Sequence, residues 1–183
     1  MRITTIGKGN IGGGLANLWE GAGHDVTRLG REGGDASAAD VVLLAVPGDA
    51  VADALDGVKG IEGKTVIDAT NRYGGVVPPD GFASNAEFVK SRTGGPTAKS
   101  FNVNFASLQP RLGEARARPG NLWCGDAEAR AVVEQLNHDA GYDPIYVGPI
   151  ERAAAQEAVV TIVFYISEGL GEFVYRMAPI EQI

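Results

Sequence analysis

Apolar residues in this chain of 183 residues recur in short β-branched runs that alternate with helical patterns. The runs predict strands at about residues 2–6, 26–29, 40–46, 63–70, 97–101, 121–124 and 142–147. Helical spacing predicts helices after residue 10, at 49–55, 84–92 and 127–137, and from 151 to about 176. Asp126 is the predicted N-cap of the helix at 127–137. This alternation indicates a Rossmann-like, doubly wound parallel sheet with right-handed crossovers.

The interval between the second and third predicted strands is unusually short. From Leu29 to Val41 the chain has room for one short helical turn at 36–39 and little more. A Rossmann sheet usually has its third strand and a helix there. We therefore expect that strand to be missing, which makes the second strand the edge of the sheet.

Two later segments carry less regular patterns. Residues 72–83 are rich in Gly and Pro and predict a loop. The final helix has an apolar stripe, formed by Ala155, Val159, Ile162, Val163, Ile166 and Leu170. Such a stripe is typical of a core or dimer contact. We expect residues 1–183 to form a single domain, in which residues 149–183 form the wall of a second ligand site or the contact of a homodimer.

The first strand runs directly into a glycine-rich turn, Gly7-Lys-Gly9-Asn10-Ile11-Gly12, and then into a helix. In this strand–turn–helix context, Gly-x-Gly-x-x-Gly is the fingerprint of a dinucleotide-binding site. Gly7 would allow the sharp turn, Gly9 the approach of a pyrophosphate, and Gly12 close packing of helix and strand. The start of the helix would offer free N–H groups and a positive dipole end to the phosphates. The alternative is a glycine-rich turn that binds nothing.

The end of the second strand indicates which dinucleotide binds. A carboxylate about twenty residues beyond the glycines favours NAD, whereas an arginine there accommodates the 2′-phosphate of NADP. Arg31 lies at this position, Arg28 is close by, and Gly30 leaves room for the phosphate. Guanidinium groups suit phosphate because they donate two parallel hydrogen bonds. We predict NADP(H), although Glu32 could reach the ribose instead, and both arginines could simply be solvated.

Composition narrows the range of partners. The net charge is −7 and no Lys/Arg cluster is present, which argues against nucleic acid or an anionic membrane as a partner. The single cysteine, Cys124, excludes an intrachain disulfide and lies in an apolar run, so we expect a buried structural thiol. The longest apolar run, 158–166, is too short to span a bilayer. We expect a cytoplasmic protein.

Ligands of such sheets bind beyond the carboxyl ends of the strands. This rule adds three groups of residues to the predicted site: Val46 and Pro47; Ala69, Thr70 and Asn71; and Asn102 and Asn104. We expect Asn71 and Asn102 to contact the carboxamide of the coenzyme or a second ring system, although both could be ordinary turn asparagines. Asp68 could hold its loop or bind a ligand. The two histidines, His24 and His138, are placed for structural or surface roles.

The chain resembles the NADPH-dependent coenzyme F420 reductases over nearly its whole length. The matching segments occur in family order: Ile6-Gly-Lys-Gly-Asn-Ile-Gly12, Gly23-His-Asp-Val26, Gly30-Arg31, Leu44-Ala-Val-Pro47, Lys99-Ser-Phe-Asn102, Cys124-Gly-Asp126, Gly148-Pro149 and Gly169-Leu-Gly-Glu172. The resemblance implies NADP contacts at residues 9–12, at Gly30 and Arg31, and at Val46 and Pro47.

This sequence also departs from the family pattern. Members tend to carry Ser or Thr where Gly30 stands, so one hydrogen bond to the 2′-phosphate is lost. The segment of the second helix and third strand is absent, and Asn102-Val-Asn104 replaces the His-Thr or Asn-Thr pair of several members. These loops would form the side of the cleft that binds the electron acceptor, so this side departs most from the family pattern.

The sequence therefore supports two functions from different classes. The first is an oxidoreductase that passes a hydride between NADP(H) and coenzyme F420 or a related flavin-like acceptor. The cofactors would carry that chemistry, and we predict no catalytic side chain and no metal. The second is a non-catalytic NADP(H)-binding module that senses redox state or partners another protein. Reduction of a small carbonyl or imine ranks last, because the sequence offers no candidate proton donor.

Overall fold

A computed structural model of the protein describes residues 1–72 and 78–182. In chain order the elements are β1 (Arg2–Ile6), α1 (Asn10–Gly21), β2 (Asp25–Leu29), β3 (Gly34–Asp35), β4 (Val41–Leu44), α2 (Val51–Asp56), β5 (Val58–Lys59), β6 (Thr65–Asp68), α3 (Asn85–Thr93), β7 (Thr97–Ser100), β8 (Gly120–Gly125), α4 (Arg130–Asp139), β9 (Asp143–Tyr146) and α5 (Ala153–Leu170). Part of the predicted loop at 72–83, residues 73–77, lies outside the described residues.

Seven strands form one sheet in the order β2-β1-β4-β6-β7-β8-β9. Strand β2 lies at the edge, which confirms the prediction that the usual third strand is missing. The shortened segment instead contributes β3, which pairs with β5 in a separate sheet of two strands. The short turn expected at 36–39 is present as a single turn, closed by a hydrogen bond of 2.9 Å from Ala39 N to Ala36 O.

Helices cover both faces of the sheet. In β4, Val41 and Leu43 pack into a core with α1 and α4, whereas Val42 and Leu44 pack into a second core with α2 and α3. All four of these side chains are fully buried. A strand buried on both faces explains why this run is continuously apolar. The two cores define a Rossmann-like, doubly wound α/β fold.

One strand runs against the expected direction. Strand β8 is antiparallel to β7, with Ala98 opposite Gly125, while the other neighbouring strands of the large sheet are parallel. A parallel neighbour needs a crossover, usually a helix, that returns the chain to the starting edge. Between β7 and β8 the chain forms a 3-10 segment, Ala106–Glu114, and re-enters the sheet in the opposite direction. The expectation of a wholly parallel sheet is therefore wrong at this one pair.

Asp126 does not cap the helix that follows it. Its side chain makes no cap hydrogen bond, and its carboxylate instead accepts hydrogen bonds from the backbone N–H of Thr97 and from Lys90 Nζ. Asp126 therefore ties the end of β8 to the start of β7.

Helix α5 is shorter than predicted. It ends at Leu170, and Gly171 follows with a φ of +78°, a backbone conformation that favours glycine. The chain beyond it lies against β8 and is held by Tyr175. The backbone O of Tyr175 accepts a hydrogen bond of 2.7 Å from Gly120 N, and its phenol oxygen accepts one of 3.0 Å from Leu122 N.

The apolar stripe predicted on α5 is only partly core. Val163 is buried, whereas Ile162 and Leu170 are 59% and 68% exposed. The buried side of the helix is instead formed by Ala153, Gln156, Glu157, Val160 and Val163. By length and composition alone, Ile150–Leu170 could cross a membrane. The apolar run at 158–166, on which the prediction of no membrane span was based, is only part of this helix. One such helix is weak evidence, because helices of soluble proteins pass the same test.

Cys124 is fully buried, as predicted, in a small cluster with Ala86, Ile150 and Ala153. Burial raises the pKa of its thiol to about 12. Because a thiolate is the reactive form, this cysteine is unreactive at neutral pH. Its role is to pack the start of α5 against the sheet.

Candidate functional site

A cavity of about 760 Å³ lies at the carboxyl edge of β1, β2 and β4. This volume is in the range of small-molecule sites. The cavity is lined by the glycine turn, by the end of β2, by the segment after β4 and by α2: Ile6, Gly7, Lys8, Gly9, Gly30, Arg31, Gly33, Ala45, Val46, Pro47, Asp49, Ala50, Asp53, Ala54 and Gly57. Six of the predicted cofactor residues thus line one cavity: Gly7, Gly9, Gly30, Arg31, Val46 and Pro47.

The three glycines of the turn occupy different environments. Gly7 has a φ of +109°, and a Cβ there would collide with the backbone carbonyl of Ala45. A Cβ on Gly12 would collide with the carbonyl of Gly7. By contrast, a Cβ on Gly9 would meet nothing within 4 Å. Gly7 and Gly12 are required by the fold, and Gly9 leaves open space at the cavity.

The first turn of α1 begins beside the cavity. Asn10, Ile11 and Gly12 form this turn, and Gly9 precedes it as the N-cap without a side-chain cap hydrogen bond. The first turn contains no acidic residue. Backbone N–H groups at the start of a helix attract anions when no side chain satisfies them. The turn is therefore suited to a phosphate.

The charged residues in and after β2 differ in their contacts. Arg31 lines the cavity and is exposed, and it makes no hydrogen bond or ion pair within residues 1–72 and 78–182. Glu32 pairs with Lys8, whose Nζ lies 2.9 Å from Oε1 of Glu32. Arg28 does not line the cavity, because its guanidinium donates to Asn17 and Glu20 on α1 at 2.8 Å each. Its contact with a 2′-phosphate stays a prediction that this geometry does not favour.

The residues after β6 lie behind the cavity. Ala69, Thr70 and Asn71 are buried and do not line it. The Thr70 N–H donates a hydrogen bond of 2.8 Å to Asp68, which shows the loop-holding role considered for this carboxylate. The Gly48 backbone packs on the carbonyl of Asn71, so the segments after β4 and β6 are in direct contact. The predicted cofactor contacts of these three residues remain untested.

The two asparagines expected to face the ligand hydrogen-bond to each other. Asn102 Nδ2 donates to Asn71 Oδ1 at 2.9 Å, and Asn71 Nδ2 donates to the Asn102 backbone O at 2.7 Å. Gln156 on α5 donates to Asn102 Oδ1 at 2.7 Å. Both asparagines are about 5% exposed or less. Asn104 lies apart from this pair and donates to Asn121 Oδ1 at 2.8 Å.

Phe101, the residue before Asn102, has the single positive φ (+63°) among the non-glycine residues that the structure describes. A residue with a large side chain adopts this conformation only where its surroundings impose it. The Phe101 ring is buried edge-on to Trp19, with centroids 5.8 Å apart. This packing fixes the backbone that places Asn102 beside Asn71.

A buried charge cluster lies beneath these asparagines. Lys99 Nζ is 2.8 Å from Oδ2 of Asp68 and 2.7 Å from Oε1 of Glu157. Arg72 also pairs with Glu157. The side chains of Asp68, Lys99 and Glu157 are almost fully buried, and the formal charges of the four residues sum to zero. The cluster joins the ends of β6 and β7 to α5 at the edge of the sheet that holds the cavity.

The sequence did not predict this cluster, although Asp68 was considered as a loop or ligand residue and Lys99 belongs to one of the segments that match the F420 reductases. Lys99 is the charged residue of a fully buried strand, and Glu157 lies on the buried side of α5. A lysine within a predicted strand is the available signal, because a buried charge requires an opposite charge nearby. Lys8, Asp49 and Asp53 also line the cavity and were not predicted.

The fold places the chain among Rossmann-like α/β proteins, with the cavity at the position where such sheets bind dinucleotides. No family model matches the sequence, and no curated protein matches it. Solved structures do resemble it. A provisionally assigned F420-dependent NADP reductase from Arthrobacter sp. FB24 is 23% identical, covers 98% of this chain and 100% of its own, and superposes with a TM-score of 0.82.

Two other structures are similar over most of this chain. Hypothetical protein SMa0349 from Sinorhizobium meliloti is 25% identical, with 83% of this chain and 86% of the other covered and a TM-score of 0.62. A reductive aminase from Aspergillus terreus, solved with NADPH and ethyl levulinate, is 18% identical with a TM-score of 0.67. The match covers 90% of this chain but 61% of that enzyme. These similarities support the fold.

The buried charge cluster predicts a large stability effect. Replacing Lys99 with Met keeps much of the side-chain volume but leaves Asp68 and Glu157 with Arg72 as their one cation. Removing one partner of a buried ion pair costs about 3–5 kcal/mol of unfolding free energy. Urea unfolding followed by tryptophan fluorescence measures this loss.

The matched control for that variant is Lys59→Met, at an exposed lysine of β5. Surface substitutions of this kind change the unfolding free energy by about 0.5 kcal/mol or less. Equal effects of the two substitutions would contradict the role assigned to Lys99.

Proposed function

We propose that this protein is an oxidoreductase that binds NADP(H) and exchanges a hydride with coenzyme F420 or a related flavin-like acceptor. The observation that carries the proposal is the start of α1: an uncapped first turn opens beside a cavity that also presents Lys8 and Arg31. Uncapped amides, an ammonium and a guanidinium together form a site for phosphates.

The residues present fit an NADP coenzyme. Gly9 leaves open space beside the first turn of α1, where a pyrophosphate would bind. Arg31 lies at the end of β2, where an extra phosphate on the ribose would lie. Two carboxylates also line the cavity: Asp49, just before α2, and Asp53, within α2. These carboxylates would repel phosphate, so they favour one orientation, with the phosphates toward α1 and Arg31.

The similar structures support this proposal in general terms. The Arthrobacter protein carries the name of an F420-dependent NADP reductase, and the reductive aminase was solved with NADPH. Both share the fold that holds the cavity here. Two observations support F420 as the acceptor. One is the resemblance of the sequence to F420 reductases, and the other is the name of the Arthrobacter protein.

The protein's own residues would act by positioning. When bound, NADPH supplies the hydride, and no side chain need form a bond to the substrate. The first turn of α1 would hold the pyrophosphate, and Val46 and Pro47 would support the coenzyme from the end of β4. The buried cluster around Lys99 fixes the ends of β6 and β7, which would border the second ligand. Fixed geometry of this kind raises the rate by orienting the two ring systems.

The asparagine pair favours a second candidate, a non-catalytic NADP(H)-binding module. Asn71 and Asn102 are the residues expected to contact the nicotinamide or the acceptor, yet their amides hydrogen-bond to each other and to Gln156. An amide held in this way has less to offer a ligand. Binding of NADPH without turnover of any acceptor would support the module.

The acceptor can be identified by absorbance. NADPH would be mixed with the protein and with F420, FMN or a ferric chelate in turn, and the NADPH band at 340 nm followed. We expect oxidation of NADPH with F420 and none without an acceptor. Turnover with a different acceptor would correct the assignment of F420 and keep the oxidoreductase.

The choice of coenzyme can be tested at Arg31. Arg31→Ala removes a charge-assisted contact with the 2′-phosphate, so it should weaken NADPH binding by about 1.5–3 kcal/mol and barely change NADH binding. Calorimetric titration measures both affinities. Arg116→Ala, at an exposed arginine far along the chain, is the control. Equal losses for both coenzymes after Arg31→Ala would contradict the NADP assignment.

We also propose that the exposed side of α5 is covered by a second copy of the chain in a cytoplasmic homodimer. Ile162, Tyr165, Ile166 and Leu170 are 46–70% exposed and lie on successive turns. Several large apolar side chains exposed side by side mark a contact surface. Two-fold symmetric dimers are the commonest oligomers.

Sedimentation equilibrium tests the homodimer. The wild-type chain should sediment as a dimer, and Tyr165→Glu should shift it to monomer, because the charge would be buried in the contact. Ala131→Glu, which places the same charge on an exposed position of α4, should leave the dimer intact. A monomeric wild-type protein that pellets with lipid vesicles would identify a membrane as the partner instead.

A further inference from the structure

The carboxylate of Glu32 folds back over the backbone at the end of β2. Residues 30–33 form a tight turn closed by a hydrogen bond of 3.1 Å from Gly33 N to Gly30 O. In this turn a Cβ on Gly30 would lie within 2.9 Å of Cδ of Glu32. The absence of a side chain at Gly30 therefore gives the Glu32 carboxylate its space.

The ammonium of Lys8 is the donor to this carboxylate, with its Nζ 2.9 Å from Oε1. Lys8 in the first place, and the nearby backbone amides of Glu32 and Gly30, hold the pKa of Glu32 below its usual value. We call Lys8 and these two amides the cradle, because an ammonium beside backbone amides is the kind of site that binds phosphate. In this structure the anion in the cradle is the chain's own carboxylate.

The position of the cradle connects it to the coenzyme. Gly30 and Lys8 both line the cavity, and Arg31 lies beside them. The end of β2 is the place where a 2′-phosphate binds in sheets of this type. A phosphate that contacts Arg31 there would compete with the Glu32 carboxylate for Lys8.

We propose that Glu32 is an internal competitor of the coenzyme's 2′-phosphate and thereby sets how strongly the protein prefers NADP(H) over NAD(H). This inference rests on the proposed function, since it requires that the cavity bind a nicotinamide dinucleotide. On binding, the carboxylate leaves the cradle, and Lys8 exchanges Glu32 for the phosphate. No bond other than hydrogen bonds forms or breaks.

The exposure of the two side chains makes this exchange feasible. Glu32 and Lys8 are 68% and 50% exposed, so the carboxylate can turn into water without leaving a buried charge behind. Exposed ion pairs are weak. A 2′-phosphate carries more charge than a carboxylate and also has Arg31 as a partner, so it displaces Glu32, but with a lower affinity than an empty cradle would give.

The competition is tested with Glu32→Gln, which keeps the side-chain length and removes the charge. We expect NADPH to bind about tenfold more tightly to this variant, the equivalent of about 1.4 kcal/mol, and NADH affinity to change less than about twofold. Calorimetric titration at low salt gives both constants. Adenosine 2′,5′-bisphosphate should show the same gain as NADPH, and 5′-AMP should show none.

A second variant reaches the same result by a different route. Glu32→Ala removes the whole side chain, so it empties the cradle without leaving an amide there, and it should also strengthen NADPH binding. The control is Glu62→Gln, an equal change of charge at an exposed residue. Glu62 precedes β6, at the amino ends of the strands, whereas the cavity lies at their carboxyl ends. This control should leave both affinities unchanged.

The outcomes separate this inference from the proposed function. If the wild-type protein binds NADPH and Glu32→Gln leaves that affinity unchanged, the competition is wrong and the proposed function stands. Equal strengthening of NADPH and NADH would reduce Glu32 to a general electrostatic effect, and a loss of NADH affinity alone would make it a ribose ligand. Both results overturn the inference. A wild-type protein that binds neither coenzyme overturns the proposed function itself.

Discussion

The close packing of the Gly7–Gly12 turn beneath the end of β4 is the constraint on which the site depends. Gly7 contacts the carbonyl of Ala45, and Gly12 contacts the carbonyl of Gly7, each at a distance that excludes a side chain. These two contacts bring the start of α1 down to the carboxyl edge of the sheet. The helix starts there without a side-chain cap, its N-cap Gly9 lines the cavity, and the segment after β4 forms another wall. A Cβ at either glycine would force the turn and the start of α1 away from the end of β4.

The second wall of the cavity is built where the usual third strand is missing. Gly33 packs against the carbonyl of Gly57, and Gly34 and Asp35 pair with Val58 and Lys59. This small sheet anchors the turn after β2 to the end of α2. The tight turn at 30–33 is thus held at both ends, by β2 and by β3. The loss of a strand has consequences for the site, because it leaves Arg31 and Glu32 exposed at an open edge of the sheet.

The sequence predicted the elements that depend on local pattern. The glycine turn and the buried β4 follow from spacing and composition, and both are present in the structure. The absence of the usual third strand followed from the short interval before β4, and the structure confirms it. The direction of β8 could not be predicted in the same way, because alternation along a strand is the same in either direction, and here it is the 3-10 segment before β8 that reverses the chain. Asp126 has the composition of an N-cap, but its carboxylate bonds to Thr97 and Lys90, which are distant in sequence. The end of α5 was missed because apolar residues continue past Gly171.

The parts of the site that the sequence did not predict are those in which charges meet across the fold. Lys99, Asp68 and Glu157 are separated by at least 31 positions. They come together because β6 and β7 are neighbouring strands and α5 places Glu157 against Lys99. Their burial demands neutrality, and Arg72 supplies the fourth charge. At the cavity, Lys8 and Glu32 meet for a similar topological reason, since β1 and β2 are neighbours. The two groups of charges differ in burial: Asp68, Lys99 and Glu157 are almost fully buried, whereas Lys8 and Glu32 are 50% and 68% exposed. Breaking the buried cluster would therefore destabilise the scaffold, whereas either side chain of the exposed pair can turn into water at little cost.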